Sequence, residues 1–412
     1  MGKKMGDHVF YRDLRRSYPT LVKGDGVYLY DDDGRRYIDG SSGALVCSLG
    51  HGNREVAEFM QQQAEKLAFA PIARFTHGPQ AELAERLAKM GSVELPYSYF
   101  VSGGSEAVET AVKMARQYHL ERGGTNVGRF LVIGRWPSYH GNTLGCLSVG
   151  GHASRRTPYA PYLMPSPKIG LPNCGSCSWH LTRSTCDLRC VDALEREILK
   201  AGPQNVSCFI METITGSCGG VILPPPDYLQ RVAAICRRYD IVFVADEIMC
   251  GAGRTGKFLA SSHFGQMPDI LILGKGIAAG YSALAALLVS ERVYEAFEQG
   301  SGAFVNNYTY AANPLSCATA CKVLDILTRD RLIDRSAEAG RRLREKLRPL
   351  TIRHHVLGTD IRGIGLMIAL ELYQNRDSQI SFPPESKISE KLARACLDEG
   401  LVIYPGLLAL AD

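Results

Sequence analysis

Two stretches decide how this chain is read: Ile241-Val242-Phe243-Val244-Ala245-Asp246-Glu247 and Ile270-Leu271-Ile272-Leu273-Gly274-Lys275-Gly276. Each is a short aliphatic run that stops abruptly on acids or on a glycine-flanked lysine. That is the pattern of strands buried on both faces of a parallel sheet. Open parallel sheets take their ligands beyond the carboxyl ends of their strands. Asp246 and Lys275 are therefore expected to line one crevice. A third run, Cys208-Phe209-Ile210-Met211, stops on Glu212 and is expected to add to it.

A lysine is a strong nucleophile only when it has lost its proton, which burial and a cationic neighbour favour. One use of such an amine is a Schiff base to pyridoxal phosphate, with a carboxylate holding the pyridine nitrogen protonated. The plain alternative for the pair is a surface lysine and a helix-capping aspartate.

Working outward, 412 residues suffice for one large domain and a smaller one. The net charge of +5 comes from 47 basic and 42 acidic residues dispersed along the chain. The densest basic stretch, Arg341 to Lys346, has Leu343 and Leu347 at helical spacing and reads as a solvated helix face, not a nucleic-acid patch. Met1 to Gly6 opens no secretory signal, and Gly6 stands where a myristoylation signal needs Ser or Thr. The apolar stretch Ile277 to Val289 falls short of the about 18 residues a membrane span needs. A soluble, cytoplasmic protein is expected.

Tyr97-Ser98-Tyr99-Phe100-Val101 reads as a strand that Ser102-Gly103-Gly104-Ser105 turns into a helix, with Glu106 and Glu109 suiting the positive end of its dipole. Such a turn offers unpaired N–H groups to an anion such as phosphate. Strands and helices alternate to about Glu298, the signature of βαβ units. Residues 24–39 read as a hairpin around Asp33-Gly34, Gln80 to Met90 as a helix, and a long helix follows Asn313-Pro314. The expected division is residues 1–55 and 315–412 as one small domain around a large domain of residues 56–314. Gly251 to Lys257 matches a dinucleotide fingerprint and most of a phosphate loop. Phe258 stands where a magnesium-binding Ser or Thr is required, so a structural glycine loop is the better reading.

Among 13 cysteines, Cys174, Cys177, Cys186 and Cys190 cluster in the Pro-, Gly- and Cys-rich excursion 150–190. Two close thiol pairs suit tetrahedral zinc. The second pair starts only nine residues after Cys177, however, which would make a tight loop, so no metal is expected and free or locally bridged cysteines are the better reading; without an export signal most are expected to be reduced.

Four blocks in order, Ser102 to Lys113, Tyr139-His140-Gly141-Asn142-Thr143, Ala245 to Gly256 and Leu273 to Gly276, make the chain resemble the class III (omega) aminotransferases. The resemblance runs from about Gly24 to Tyr404. It implies the aspartate-aminotransferase-like α/β fold, with a mostly parallel central sheet in the large domain and an α+β small domain from both termini, and pyridoxal 5'-phosphate as cofactor. The four-cysteine insertion also looks like one in a bacterial branch of the family. The activity implied is ping-pong transfer of an amino group from an amine or (omega-)amino acid to a 2-oxo acid. The alternatives are an aminomutase, a decarboxylating relative, or a non-catalytic homologue that binds the cofactor. Carried over by position, Lys275 forms the internal aldimine and shuttles the proton, and Asp246 pairs with the pyridinium nitrogen. Tyr139 stacks on one ring face, followed by His140, and Ile248, taken as two residues along an extended chain, packs on the other. Gly104 and Ser105 hold the phosphate. Thr309 resembles the threonine that reaches it from the neighbouring subunit, which implies a homodimer with active sites at the subunit interface. Glu212 stands beside the pocket, and Leu45 and Val46 fall where substrate-pocket side chains lie.

Two features depart from the family pattern. His51-Gly52-Asn53-Arg54 replaces His-x-x-Pro, and the sequence stops at Leu407 to Asp412 where relatives continue. The arginine for a substrate carboxylate is left unassigned.

Overall fold

The computed structural model describes residues 8–182 and 184–406. The readings of Met1 to Gly6 and of Leu407 to Asp412 concern segments outside the described residues. Seven strands form the central sheet: β1 Tyr97–Val101, β2 Leu131–Trp136, β3 Lys168–Gly170, β4 Val206–Glu212, β5 Val242–Asp246, β6 Ile270–Leu273 and β7 Ala285–Val289. Their spatial order is β1-β7-β6-β5-β4-β2-β3. Every neighbouring pair is parallel except those made by β7, which runs antiparallel to β1 and β6. The expected mostly parallel sheet is present.

The aliphatic runs are buried end to end because both faces of the sheet are covered. Side chains alternate across a strand, so Ile210, Val244, Ile270 and Ile272 meet the helix Gly104–Glu121 on one face through Ala107, Val108, Ala111 and Ala115. On the other face Phe209, Met211 and Phe243 pack against Val191, Leu194 and Ile198 of the helix Arg189–Ala201 and against Leu229 and Val232 of Tyr228–Arg238. Further along that face Leu271, Leu273 and Leu288 meet Leu83 and Leu87 of the helix Gly78–Met90 and Leu324 of the helix Pro314–Arg329. Truncating a fully enclosed member such as Ile210 to alanine costs about 2–5 kcal/mol.

The hairpin is present as Tyr28–Asp31 against Arg36–Asp39, joined by Leu21–Asp25. Leu401–Val402 adds in parallel to Ile38–Asp39, tying the C-terminal part of the described chain to its start. A second antiparallel sheet comprises Leu357–Ile364, Met367–Asn375 and Ile380–Ser381. The glycine loop Gly251–Lys257 is a run of turns lying against the helix Leu332–Arg353. At Gly256 (φ 87°) a Cβ would stand 2.7 Å from that of Ala337, so the glycine serves close packing. Among the described residues no helix is long and apolar enough to cross a membrane.

Candidate active site

Strands β4 and β5 pair so that Glu212 and Asp246 stand side by side at their carboxyl ends. Ile272 of β6 pairs with Asp246, and three residues later Lys275 opens a short 3-10 turn, Lys275–Ile277. The sheet register alone therefore gathers two acids and the lysine at one edge. Lys275 has φ 46°, the left-handed region that side chains larger than glycine seldom occupy. Such a conformation costs of order 1–3 kcal/mol and persists where surrounding structure enforces it.

Burial pulls the Lys275 amine below the ordinary lysine value. Asp246 and Glu212 oppose that pull through space, and the Arg254 guanidinium adds to it. The outcome is an amine that sheds its proton more readily than a surface lysine, among groups close enough to tune it.

Asp246 is 4% exposed. One of its oxygens lies 2.8 Å from His140 Nδ1, and the other accepts the Ile248 N–H at 3.0 Å. Beside this carboxylate Nδ1 is the donor, and Nε2 is the second nitrogen of the ring. That Nε2 is buried and has no partner among the described residues. Ile248 is reached differently from the extended-chain expectation. It lies in a turn, and its N–H bond to Asp246 folds the side chain back over the strand end. There its methyl groups meet the backbone at Gly104 and Gly274, with an added Cβ at 2.9 and 3.2 Å from them. The turn, not alternation along a strand, brings Ile248 to the crevice.

Glu212, 5% exposed, accepts the Tyr139 N–H at 2.9 Å on one oxygen and the Gly216 N–H at 2.7 Å on the other. Burial pushes its acid above the usual carboxylate value, with His140 pulling the other way. Glu212 thus fixes the segment that carries Tyr139. Burial likewise raises the Tyr139 phenol.

The turn after β1 delivers Gly104 and Ser105 as the first residues of the helix Gly104–Glu121. The opening N–H groups of a helix have no partner inside it and carry the positive end of its dipole. Ser105 Oγ accepts the Asn142 N–H at 3.1 Å. Gly141, at φ 129°, allows that approach, because a Cβ there would stand 2.4 Å from Ser105 Oγ.

Leu45 and Val46 follow an irregular turn, and Leu45 itself has φ 59°. Val46 lies against Gly280 just beyond the lysine turn, and Ser48 Oγ donates to Gly276 O at 3.3 Å. Leu45 packs against a small buried cluster that includes Ile214, Val221 and Cys250. Thr309 is the exception: it is exposed, in the turns at residues 309–312. Cys174, Cys177, Cys186 and Cys190 line a cavity of about 300 Å³ beside the helix Arg189–Ala201, none of them in a disulfide.

Two arginines at the site escape sequence reasoning. Arg254 lies inside the glycine loop, is partly buried, and has one guanidinium nitrogen without a partner among the described residues. A cation following a strand-end acid, within a loop that reads as structural, is the available signal. Arg155 holds its guanidinium 4.5 Å above the centre of the Tyr139 ring. Nothing in its local sequence marks it. Glu247 looks in the sequence like a partner of Asp246, yet it points away, accepting the Ser261 N–H at 2.7 Å and the Thr213 hydroxyl at 3.0 Å. Its role is to cap the turn Ala260–His263.

The crevice fits pyridoxal phosphate. It offers a buried carboxylate with a histidine bond, an amine of lowered basicity, a flat aromatic residue, and a helix N-terminus approached through glycine and serine.

A family model described as "Aminotransferase class-III" matches residues 12–406. The uncharacterized aminotransferase YodT of Bacillus subtilis (strain 168) is 38% identical over 401 residues, 97% of this chain and 89% of that protein. The crystal structure of an (S)-enantioselective omega-transaminase from Thermomicrobium roseum superposes with a TM-score of 0.91 at 33% identity, covering 98% of this chain and 93% of that one. An amine transaminase from an uncultivated Pseudomonas species, solved in its PLP-bound internal aldimine form, matches with a TM-score of 0.89 and 34% identity, covering 100% and 94%. The fold is the PLP-dependent transferase fold, and class III aminotransferases depend on pyridoxal phosphate. The chain belongs to the class III aminotransferase family.

Proposed function

We propose that this enzyme moves an amino group from an amine or (omega-)amino acid to a 2-oxo acid in two half-reactions, with Lys275 as the residue that binds the cofactor and moves the proton. The observation that carries the reading is a burial-depressed lysine held within the fields of two strand-end acids. When bound, pyridoxal phosphate supplies an aldehyde that captures amines and a protonated pyridine that draws electrons from the carbon beside the captured nitrogen.

The protein supplies the rest. Asp246 would hold the pyridine nitrogen, and His140 fixes the Asp246 side chain. Lys275 would take the proton from the donor carbon on its side-chain amine and return it one position away. Glu212 acts at one remove, anchoring the backbone of Tyr139 so that the ring presents a flat face. Ile248 closes the opposite face. Gly104 and Ser105 bind the phosphate at the helix N-terminus. Leu45 and Val46 shape the substrate side.

The exposed position of Thr309 fits a partner subunit's phosphate site better than its own crevice. Next to it in the chain Val305 and Tyr310 are 82% and 62% exposed, and Phe69 stands edge-on to Tyr310 at 6.2 Å. Apolar surface of this kind suits a homodimer contact. The large and small domains are proposed to divide as the sequence suggests, at about residues 55 and 315.

The test is a half-reaction screen of the holoenzyme. Adding an accepted amino donor without oxo acid should convert the bound cofactor to its amino form with a change in absorbance, and a 2-oxo acid should reverse it. A panel of amines and amino acids that leaves the spectrum unmoved would exclude the reading.

A further inference from the structure

Between Gly170, the end of β3, and Arg189, the start of the next helix, the described residues form turns and no regular element. The backbone hydrogen bonds of this stretch join near neighbours: Asn173 N–H to Leu171 O, His180 N–H to Cys177 O, Thr185 N–H to Thr182 O. Trp179 and Leu188 rest on the core beneath. A chain of this length without a ladder is seldom held by its own turns alone.

What the stretch has instead is thiols. Cys174, Cys177, Cys186 and the helical Cys190 all line the same cavity of about 300 Å³. Their spacing, two residues inside the first pair and three inside the second, lets each pair chelate one ion. All four are outside disulfides. Cys190 is buried in the first turn of the helix Arg189–Ala201, so the helix holds its sulfur in a fixed place beside the loop. Arg231 lines the cavity as well, donating to Asp187 O at 2.7 Å and to Asp192 at 3.1 Å.

We propose that Cys174, Cys177, Cys186 and Cys190 bind one structural zinc(II) ion that staples the loop 171–188 to the large domain. Four thiols give up four protons as four Zn–S bonds form, leaving a site of charge −2. Arg231 and the helix N-terminus offset that charge. With four protein ligands the ion has no open position, so its role is structural and not catalytic. No three of these sulfurs lie mutually within 4.8 Å. Zn–S bonds of about 2.3 Å bring tetrahedral sulfurs closer than that, so binding draws the loop thiols in on the fixed Cys190. The binding energy then appears as stability of the loop. Leu171 reaches Gly219 in the turn that Glu212 holds through Gly216, so the staple also backs one wall of the crevice.

The test needs no assay of activity. Holoenzyme purified without added metal should carry about one zinc per chain by elemental analysis, and the double variant Cys177→Ser/Cys186→Ser less than about a tenth of that. The variant should melt at a lower temperature, while Cys47→Ser should keep its zinc. If the double variant fails to fold, cobalt(II) exchanged into wild type reads the same question, and intense visible bands of a tetrahedral tetrathiolate are expected. Zinc-free wild type that takes up no metal on refolding with zinc, cobalt spectra without thiolate bands, or mass spectrometry showing Cys174–Cys177 or Cys186–Cys190 disulfides in native protein would each overturn the proposal.

Discussion

The strand-end crevice and the cysteine loop both follow strands of the central sheet and are built on opposite principles. In the crevice every group is placed by the sheet: the register aligns Glu212 with Asp246, and hydrogen bonds of 2.7 to 3.0 Å fix both carboxylates before any ligand enters. In the loop Cys174, Cys177 and Cys186 share a cavity with the helical Cys190, but no ladder positions these three, and on our proposal an ion does. The contrast teaches where preorganisation comes from. Groups that must stabilise a developing charge gain most when the fold has already oriented them. Groups that only hold a segment in place can be assembled by the ion itself.

Removing Lys275 should have the largest effect on the preorganised side. In Lys275→Ala the half-reaction rate should fall by more than the roughly 10²–10⁴-fold that proton transfer alone contributes, because attachment of the cofactor is lost too. Single-turnover absorbance measures it, and turnover within about tenfold of wild type would break the comparison at its root. Asp246→Asn comes next, with a loss of roughly 10²–10³-fold in kcat, the scale for one preorganised electrostatic partner. The same variant removes a field that raises the Lys275 pKa, so the amine should lose its proton at lower pH than in wild type. A pH titration of cofactor loading reads that shift, and a move to higher pH would reverse the assigned electrostatics.

Glu212→Gln should be the mildest for chemistry and sharpens the comparison through stability. Its folded pKa stands above the ordinary 4.5, so between 4.5 and that raised value the folded chain binds more protons than the unfolded one. Stability contributed by this group is therefore fully present below 4.5 and is lost as pH rises through the window. Denaturant melts of wild type should show that decline, and the glutamine variant should flatten it. Neutral glutamine also keeps only one acceptor oxygen for two N–H donors, which costs about 1–3 kcal/mol. An unchanged slope together with an unchanged midpoint would remove Glu212 from its anchoring role.

Much of the fold and the crevice is legible in the sequence because burial on both faces writes itself as uninterrupted aliphatic runs. Val242 to Ala245 and Ile270 to Leu273 have no polar alternation to obscure them, so Asp246 and Lys275 just beyond them necessarily lie at the strand ends. The glycine loop is readable too, since Phe258 contradicts a nucleotide site and Gly256 proves to serve contact with Ala337. Illegible are the features set by side-chain direction over long separations. Asp246 and Glu247 look like one acidic pair, yet consecutive residues face opposite ways, and Glu247 caps a turn far along the chain. Ile248 arrives by a turn that alternation could not anticipate. Arg155 meets Tyr139 only because the chain doubles back after Val149, and no local pattern announces it.

One covalent claim underlies the proposed chemistry, that the cofactor attaches at position 275. Reducing the purified holoenzyme with borohydride and mapping its peptides by mass spectrometry tests this directly. The predicted result is a phosphopyridoxyl group on the Lys275 peptide and on no other lysine, with none in Lys275→Ala. The label on another residue, Lys168 for example, or a holoenzyme that loses all its cofactor after reduction, would contradict it.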